Sequence, residues 1–407
     1  MCVCLESFVE GENAEKADKS IMQEISIIMM ALICHEFGKE LIDDIKQLIT
    51  LERLPALFKL SKQHDLAHLV GDALDRNGLL LDGTEVKKRF LQERNLAVYR
   101  YEQIQYELEQ ICDTLEQGKI PFIPLKGSVI RQYYPEPWMR TSCDIDILVA
   151  PQDLERAQAT LETKLNYTLA GKGDHDISLT SPGGVNLELH YQLLEDGAKD
   201  SEKIVLGNIW DVVEPEEGKN AHCKMPDEYF YCYHIAHITK HLRYGGCGVR
   251  SILDTWFLNH KMEFDKSQRD ALLQKAGLFS AAKTIENLSE VWFSGMEGNS
   301  LTESLGEYIL TGGVYGTFDN KVAAQQTRKK GKFSYLLSRV FLPYSQMKFK
   351  YPRLQKCPIL YPFYIVKRCF LLLNKEKRML ALREVDQTIN ADEKQQKIAK
   401  LMKDLDL

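Results

Sequence analysis

The sequence lacks the features that would carry a chain into or across a bilayer. Its N-terminus, MCVCLESFVEGENAEKADKS, has no basic segment followed by an apolar core and does not read as a signal peptide. The apolar run from Ile25 to Cys34 is too short for a membrane span, and Pro358 to Leu373 is broken by Lys367-Arg368 and carries two prolines. No second cysteine pair stands near Cys2-x-Cys4 to complete a zinc site. The ten cysteines are scattered and lie mostly in apolar runs, a pattern of reduced thiols that excludes a disulfide framework. No repeat is visible. The net charge of -6 is too small to draw the whole chain to nucleic acid or anionic lipid. The expectation is a cytoplasmic protein with no stable membrane insertion.

What is present is ordinary globular composition, 44% hydrophobic and 27% charged, over 407 residues, enough for two or three domains. After an N-terminus expected to be disordered over 1–19, apolar residues recur three and four apart through 20–117, a helical region. The pattern changes at Gly118. Within 118–212, IPFIPL and CDIDILVA read as strands, PQDLERAQATLETKLNY as a helix, and GDHDISLTSPGGVNLELHYQL as a hairpin turning at Ser181-Pro182-Gly183-Gly184. From Pro226 to about 315 the sequence returns to helix, in a helical domain expected over 213–320. The last stretch, 321–407, is a basic, aromatic-rich helical arm in which Glu376 is the only acid from Arg328 to Arg378. Two readings of that arm stand: a surface for nucleic acid or acidic lipid, and a packing arm whose Lys and Arg stay solvated, the second preferred. A place beside a nucleotide-binding cleft is a third.

The chemistry concentrates at Asp144-Ile145-Asp146. Alternate strand residues share a face, roughly 6.6 Å apart along the chain, so Ile145, Ile147 and Val149 point to the core and both aspartates point away from it. Two such charges in a partly desolvated site repel by on the order of 4 kcal/mol at ~4 Å, and a divalent cation turns that repulsion into attraction. In VNLELHYQL, Glu188 alternates with Leu187 and Leu189 and supplies a third carboxylate if the two strands are neighbours. Upstream, Gly127-Ser128 follows a short strand and precedes a helix-forming segment; glycine admits close backbone approach to phosphate, and Ser128 is a natural N-cap.

These residues, in this order, carry a resemblance. Leu125-Lys126-Gly127, Tyr134-Pro135-Glu136-Pro137, Arg140, Asp144 to Val149 and Glu188-Leu189-His190 look like the DNA polymerase β-like nucleotidyltransferase superfamily. More narrowly they resemble the bacterial family of uncharacterised nucleotidyltransferases, and the segments His234 to Leu258 and Tyr351 to Arg368 are similar to that family as well. The resemblance implies an α+β fold, a small mixed β-sheet nucleotidyltransferase core flanked by N-terminal and C-terminal helical regions. It implies Mg2+-dependent transfer of a nucleoside monophosphate from an NTP, with ATP expected, to an acceptor, with release of pyrophosphate. Asp144, Asp146 and Glu188 then match the metal-binding and catalytic acids, and Gly127 and Ser128 the phosphate-contacting turn. Two departures stand out: a long Ser128-to-Asp144 gap carrying YYPEPWMR, and Glu as the third acid. The acceptor is open among a protein side chain, a sugar, another small molecule and an RNA end. The alternative is a catalytically inactive nucleotide-binding or scaffold protein.

Further residues admit two roles each. Lys126 contacts a phosphate or pairs with a neighbouring acid; Arg140 contacts the triphosphate or orients the carboxylates. Lys240 and Arg250, flanking a GGCG turn with Asp254 close behind, reach the nucleotide or form inter-helix ion pairs. His190 tunes a ligand, positions the acceptor or is a hydrogen-bonded strand residue. His234, His237 and His241 share a helix face, but no acid completes a metal set, and packing is the preferred reading.

Overall fold

The computed structural model describes residues 21–314 except 196, and beyond them 316, 320, 344, 347, 351, 353–371 and 392–407. The expected disordered N-terminus and most of the basic aromatic arm therefore lie outside the described residues. Among the described residues no helix is long and apolar enough to cross a membrane.

The chain opens with α1 (21–36), α2 (Asp43–Leu48), α3 (Leu54–Gln63) and α4 (Ala67–Arg76). The apolar stripes of α1, α3 and α4 bury Ile25, Met29, Leu57, Leu69 and Val70 in one core. Helix α5 (Glu85–Gln117) follows, 33 residues and about 50 Å long at 1.5 Å per residue. Thr84 caps it, its hydroxyl accepting from the Lys87 N–H. Near its start Phe90 packs with α4, while Ile104, Leu108, Ile111 and Leu115 lie in a second core under the sheet. One helix thus serves both cores.

The α4–α5 crossing is close at Gly71. A Cβ there would stand 2.9 Å from the Phe90 Cβ and 3.2 Å from its carbonyl oxygen. Gly-to-Ala in a helix interior ordinarily stabilises by up to about 1 kcal/mol; here overpacking reverses the sign. Gly71→Ala is expected to lower the unfolding free energy by roughly 1–3 kcal/mol, read from urea denaturation. An unchanged or higher midpoint would mean the helices are free to separate.

The sheet has five strands in the order β1-β2-β5-β4-β3: β1 (Phe122–Pro124), β2 (Asp144–Val149), β3 (Thr168–Lys172), β4 (Asp176–Thr180) and β5 (Asn186–His190). β2 and β5 run parallel and the other pairs antiparallel, so the sheet is mixed. Short helix α6 (Gly127–Ile130) lies between β1 and β2, and α7 (Leu154–Leu165) follows β2. The predicted hairpin joins β4 to β5; Gly184 takes φ +82° in the turn and donates its N–H to the Ser181 carbonyl at 3.0 Å. Ile145, Ile147, Val149, Ile177, Leu187 and Leu189 face α5 and α7 in the second core. The opposite face of β2 and β5 carries Asp144, Asp146, Glu188 and His190.

The chain continues through α8 (Asp200–Leu206), the small ribbon β6 (Glu214–Pro215) and β7 (Cys223–Lys224), α9 (Asp227–Arg243), α10 (Val249–Lys261), α11 (Lys266–Lys275), α12 (Phe279–Phe293) and α13 (Ser300–Gly312). These helices bury Phe230, Ile252, Phe257 and Leu288 in the same core as the N-terminal helices. Phe257 on α10 stacks near Phe37 and Tyr134, with ring centroids 5.0 and 4.2 Å away. The packing runs across 117/118 and 212/213: α5 serves both cores, and the helices after the sheet share the core of the N-terminal helices.

Candidate active site

The parallel pairing of β2 with β5 sets Asp144 opposite Asn186, Asp146 opposite Glu188 and Leu148 opposite His190. Period-two alternation then puts Asp144, Asp146, Glu188 and His190 on one sheet face. Asp144, Asp146 and Glu188 border a cleft of about 410 Å³ whose opposite wall is α9, with Tyr233, His237 and His241. Asp146 is buried, while Asp144 and Glu188 are half-buried.

Lys126 enters the cluster from the turn before α6. Its backbone adopts φ +47° and ψ -120°, a left-handed conformation that costs a non-glycine residue about 1–3 kcal/mol. The turn is held by the Leu125 N–H, which donates to the Asp146 carbonyl at 2.9 Å. The Lys126 Nζ donates to Asp146 Oδ1 at 2.7 Å and stands 3.7 Å from Glu188 Oε2. His190 Nε2 lies 2.9 Å from the same Asp146 oxygen and 3.4 Å from Glu188 Oε2. Of the two roles open to Lys126, this structure has the ion pair.

The electrostatics separate the two aspartates. Burial works to raise the Asp146 carboxyl, but the Lys126 ammonium and the His190 hydrogen bond hold it well below the usual carboxylate range. Burial works against charge on His190 too, yet its bonds to Asp146 and Glu188 raise it above the ordinary imidazole value. Among the described residues Asp144 has no hydrogen-bonded or ion-paired partner, and the charges of Lys126 and Arg250 offset only part of what raises it. Burial first, then the charges of Asp146 and Glu188, push it up to about 6 from an ordinary 3.8. Charged Asp144 therefore destabilises the metal-free fold, by up to roughly 3 kcal/mol for that gap. The sign follows from the folded state binding the proton more tightly than the unfolded one: the penalty is full above about pH 6 and disappears as pH falls toward 4. In chelator at pH 7.5, Asp144→Asn is expected to raise the urea midpoint above wild type, and the two should converge near pH 4. A wild-type advantage at pH 7.5 would contradict this.

The remaining predicted residues divide. Gly127 borders the cleft, where a Cβ would meet Ser142 Cβ at 3.3 Å and Arg140 Nη1 at 3.4 Å. Ser128 does not line the cleft; its hydroxyl is buried with no partner among the described residues and borders a different cavity, with Tyr133 and His222. The helix begins at Gly127, so Lys126 is the N-cap and Ser128 sits inside the first turn, rotated away. Ser142, which the sequence reading did not single out, borders the cleft instead and accepts from Arg131 Nη2 at 2.7 Å.

Arg140 is buried and its Nε and Nη2 donate to the two Asp254 oxygens at 2.8 Å each, while the Tyr134 hydroxyl donates to Asp254 Oδ1 at 2.7 Å. Arg250 Nη1 donates to Asp65 Oδ2 at 2.6 Å and to the Thr141 carbonyl at 3.0 Å. Both guanidiniums border the cleft but are committed to ion pairs that tie the turn before β2 to α10 and to the N-terminal helices. Asp65, unforeseen from sequence, takes part from a residue with φ +57°. Lys240 pairs with Glu195 at 3.4 Å beside the cleft. His234 Nε2 meets the Thr255 hydroxyl at 2.9 Å, and His237 and His241 meet each other, Nε2 to Nε2, at 3.2 Å. Burial lowers all three, His234 and His241 to about 4, so they are uncharged at neutral pH.

The donor set fits a hard divalent cation. Ligand-capable atoms of Asp146, Glu188 and His190 lie within 4.8 Å of one another, and Asp144 adjoins that group. Two carboxylates with a third beside them, matched by one ammonium and one imidazole, leave negative charge to be balanced, and carboxylate oxygens are the ligands Mg2+ prefers.

The family described as uncharacterised nucleotidyltransferase matches this chain over residues 52–294. No curated protein matches it. A solved structure of the antibiotic-resistance factor ANT(2'')-Ia is similar at 10% identity over 48% of this chain and 91% of that one, with a TM-score of 0.27, too low to carry any argument. The matched segment runs from the N-terminal helices through the sheet to α12.

Proposed function

This chain belongs to the uncharacterised nucleotidyltransferase family, and from that premise we propose that it moves a nucleoside monophosphate from an NTP, ATP foremost, to an acceptor in a Mg2+-dependent reaction. The observation that supports this most is the register of β2 on β5, which sets Asp146 opposite Glu188 at the floor of a cleft that Asp144 also borders. Mg2+ bound by Asp144, Asp146 and Glu188 would supply charge neutralisation at the phosphate oxygens and align donor with acceptor.

The chain's own groups do the rest. Gly127, bare of a side chain at the cleft wall, admits the triphosphate close to the backbone. Lys126 holds Asp146 ionised and in place and offers positive charge to the outgoing phosphates. Lys240 lies on the far side of the cleft, held by Glu195, where it can exchange that partner for a phosphate oxygen. Arg140 and Arg250 act by holding β2 and α10 in register around the cleft, not as direct ligands. Glu188, half-exposed at the edge, takes the acceptor proton. The acceptor oxygen attacks the α-phosphorus, the bond to the bridging oxygen breaks, and that oxygen departs with pyrophosphate.

The acceptor classes are a protein side chain, a sugar, another small molecule and an RNA end. Incubation of the chain with each α-³²P-labelled NTP and Mg2+ in a cell lysate sorts them by where label appears. Label is expected with wild type and absent with the Asp144→Asn/Asp146→Asn double variant. Equal labelling by both proteins would overturn the proposal.

A further inference from the structure

The geometry points to a second metal site, for a divalent transition metal such as Zn2+, held by His175, Asp176 and His190 at the end of β4 and β5. This goes beyond nucleotidyl transfer and uses a different ligand set, sharing only His190 with the carboxylate cluster.

Four observations carry it. Ligand-capable atoms of His175, Asp176 and His190 lie within 4.8 Å of one another. The backbone holds them there: Asp176 is the register partner of His190 across β4 and β5, and the His175 carbonyl accepts from the Tyr191 N–H at 2.9 Å. Each imidazole has one nitrogen anchored on a carboxylate. His190 Nε2 meets Asp146 Oδ1 at 2.9 Å, and His175 Nδ1 meets Asp174 Oδ1 at 2.6 Å. Such outer carboxylates fix the tautomer of metal-binding histidines and leave the other nitrogen as the ligand. Finally, that other nitrogen of His190, Nδ1, is buried with no hydrogen-bond partner among the described residues, in a residue only 2% exposed. A buried ring nitrogen without a partner is costly unless something binds it.

The ring spacing agrees with one shared ion. Two imidazoles on a tetrahedral zinc have centroids about 5.2 Å apart, given Zn–N of about 2.05 Å. The His175 and His190 centroids are 5.5 Å apart. Two imidazole nitrogens and one carboxylate favour Zn2+ and its neighbours over Mg2+, whose ligands are oxygen. His175 and Asp176 both border the main cleft, so the position left by three protein ligands opens toward it. An ion there keeps the Nε2–H of His190 directed at Asp146 and links this site to the carboxylate cluster.

The test uses untagged full-length chain, stripped with chelator and desalted, then titrated with Co2+ and followed by its visible absorption. One equivalent is expected to give the intense band of four-coordinate cobalt, which Zn2+ displaces and excess Mg2+ does not. His175→Gln and Asp176→Asn are each expected to weaken Co2+ binding by about 10- to 100-fold, with Asp144→Asn close to wild type. Far-UV circular dichroism confirms that each variant is folded, and either of the two suffices if the other fails to fold. Absence of the band from wild type, its persistence in a folded ligand variant, or its loss in Asp144→Asn alone would overturn the site.

Discussion

Asp146→Asn is expected to lower the rate of nucleotidyl transfer by about 100- to 1000-fold, the scale on which removing one preorganised charge-stabilising group acts. The substitution removes a carboxylate charge from the cleft floor and also disturbs its support. Lys126 Nζ and His190 Nε2 both meet the same Asp146 oxygen, at 2.7 and 2.9 Å. An amide there leaves a half-buried ammonium with Glu188 alone, 3.7 Å away, and sets donor against donor if its nitrogen takes that place. Leaving a half-buried donor without its main partner costs about 1–3 kcal/mol, so this variant should lose stability as well as activity. Asp144→Asn should lose activity on the same scale yet gain stability in chelator, because burial and the charges of Asp146 and Glu188 outweigh those of Lys126 and Arg250 at Asp144. Opposite shifts in the urea midpoint with a shared loss of transfer are the expected signature of this pair. Wild-type turnover in Asp146→Asn would remove the cluster from the chemistry.

The second large effect is at Arg140. Its guanidinium is bidentate on Asp254 in a buried setting, with the Tyr134 hydroxyl on the same carboxylate. Burial acts against the Arg140 charge, but Asp254 raises it above its ordinary value; burial acts to raise Asp254, and Arg140 holds it low. Arg140→Ala or Asp254→Ala strands one buried charge and is expected to cost about 3–5 kcal/mol in urea denaturation. The pair Arg140→Met with Asp254→Leu, which strands no charge, should recover most of that loss. If Arg140 served mainly as a nucleotide ligand, Arg140→Ala would raise KM for the NTP and leave the urea midpoint near wild type. That result would restore the ligand reading.

The site was legible in the sequence where local rules govern. Alternation of Asp144 and Asp146 with Ile145 and Ile147 fixes which face the carboxylates take, and Ser181-Pro182-Gly183-Gly184 announces the hairpin that brings Glu188 back. Four features escaped. The pattern makes Ser128 the cap of α6, but the cap is Lys126, two residues earlier, and residues two apart on a helix point about 200° apart. Arg140 and Arg250 find partners 114 and 185 positions away, which no periodicity reveals. The long α5 reads as one amphipathic helix, yet its two ends pack in different cores, a division set by where the sheet lies. His175 and Asp176 sit at the mouth of the hairpin and gain meaning only from the strand pairing that sets Asp176 against His190.

The most direct measurement is calorimetry of a non-hydrolysable NTP analogue with wild type and Asp144→Asn, each with Mg2+ and with chelator. Binding by wild type that requires Mg2+, and is lost or at least about tenfold weaker in Asp144→Asn, is the expected result, since each lost carboxylate removes a ligand and a charge. Equal binding by both proteins with or without Mg2+, or none by either, would contradict a carboxylate-held metal as the centre of this site.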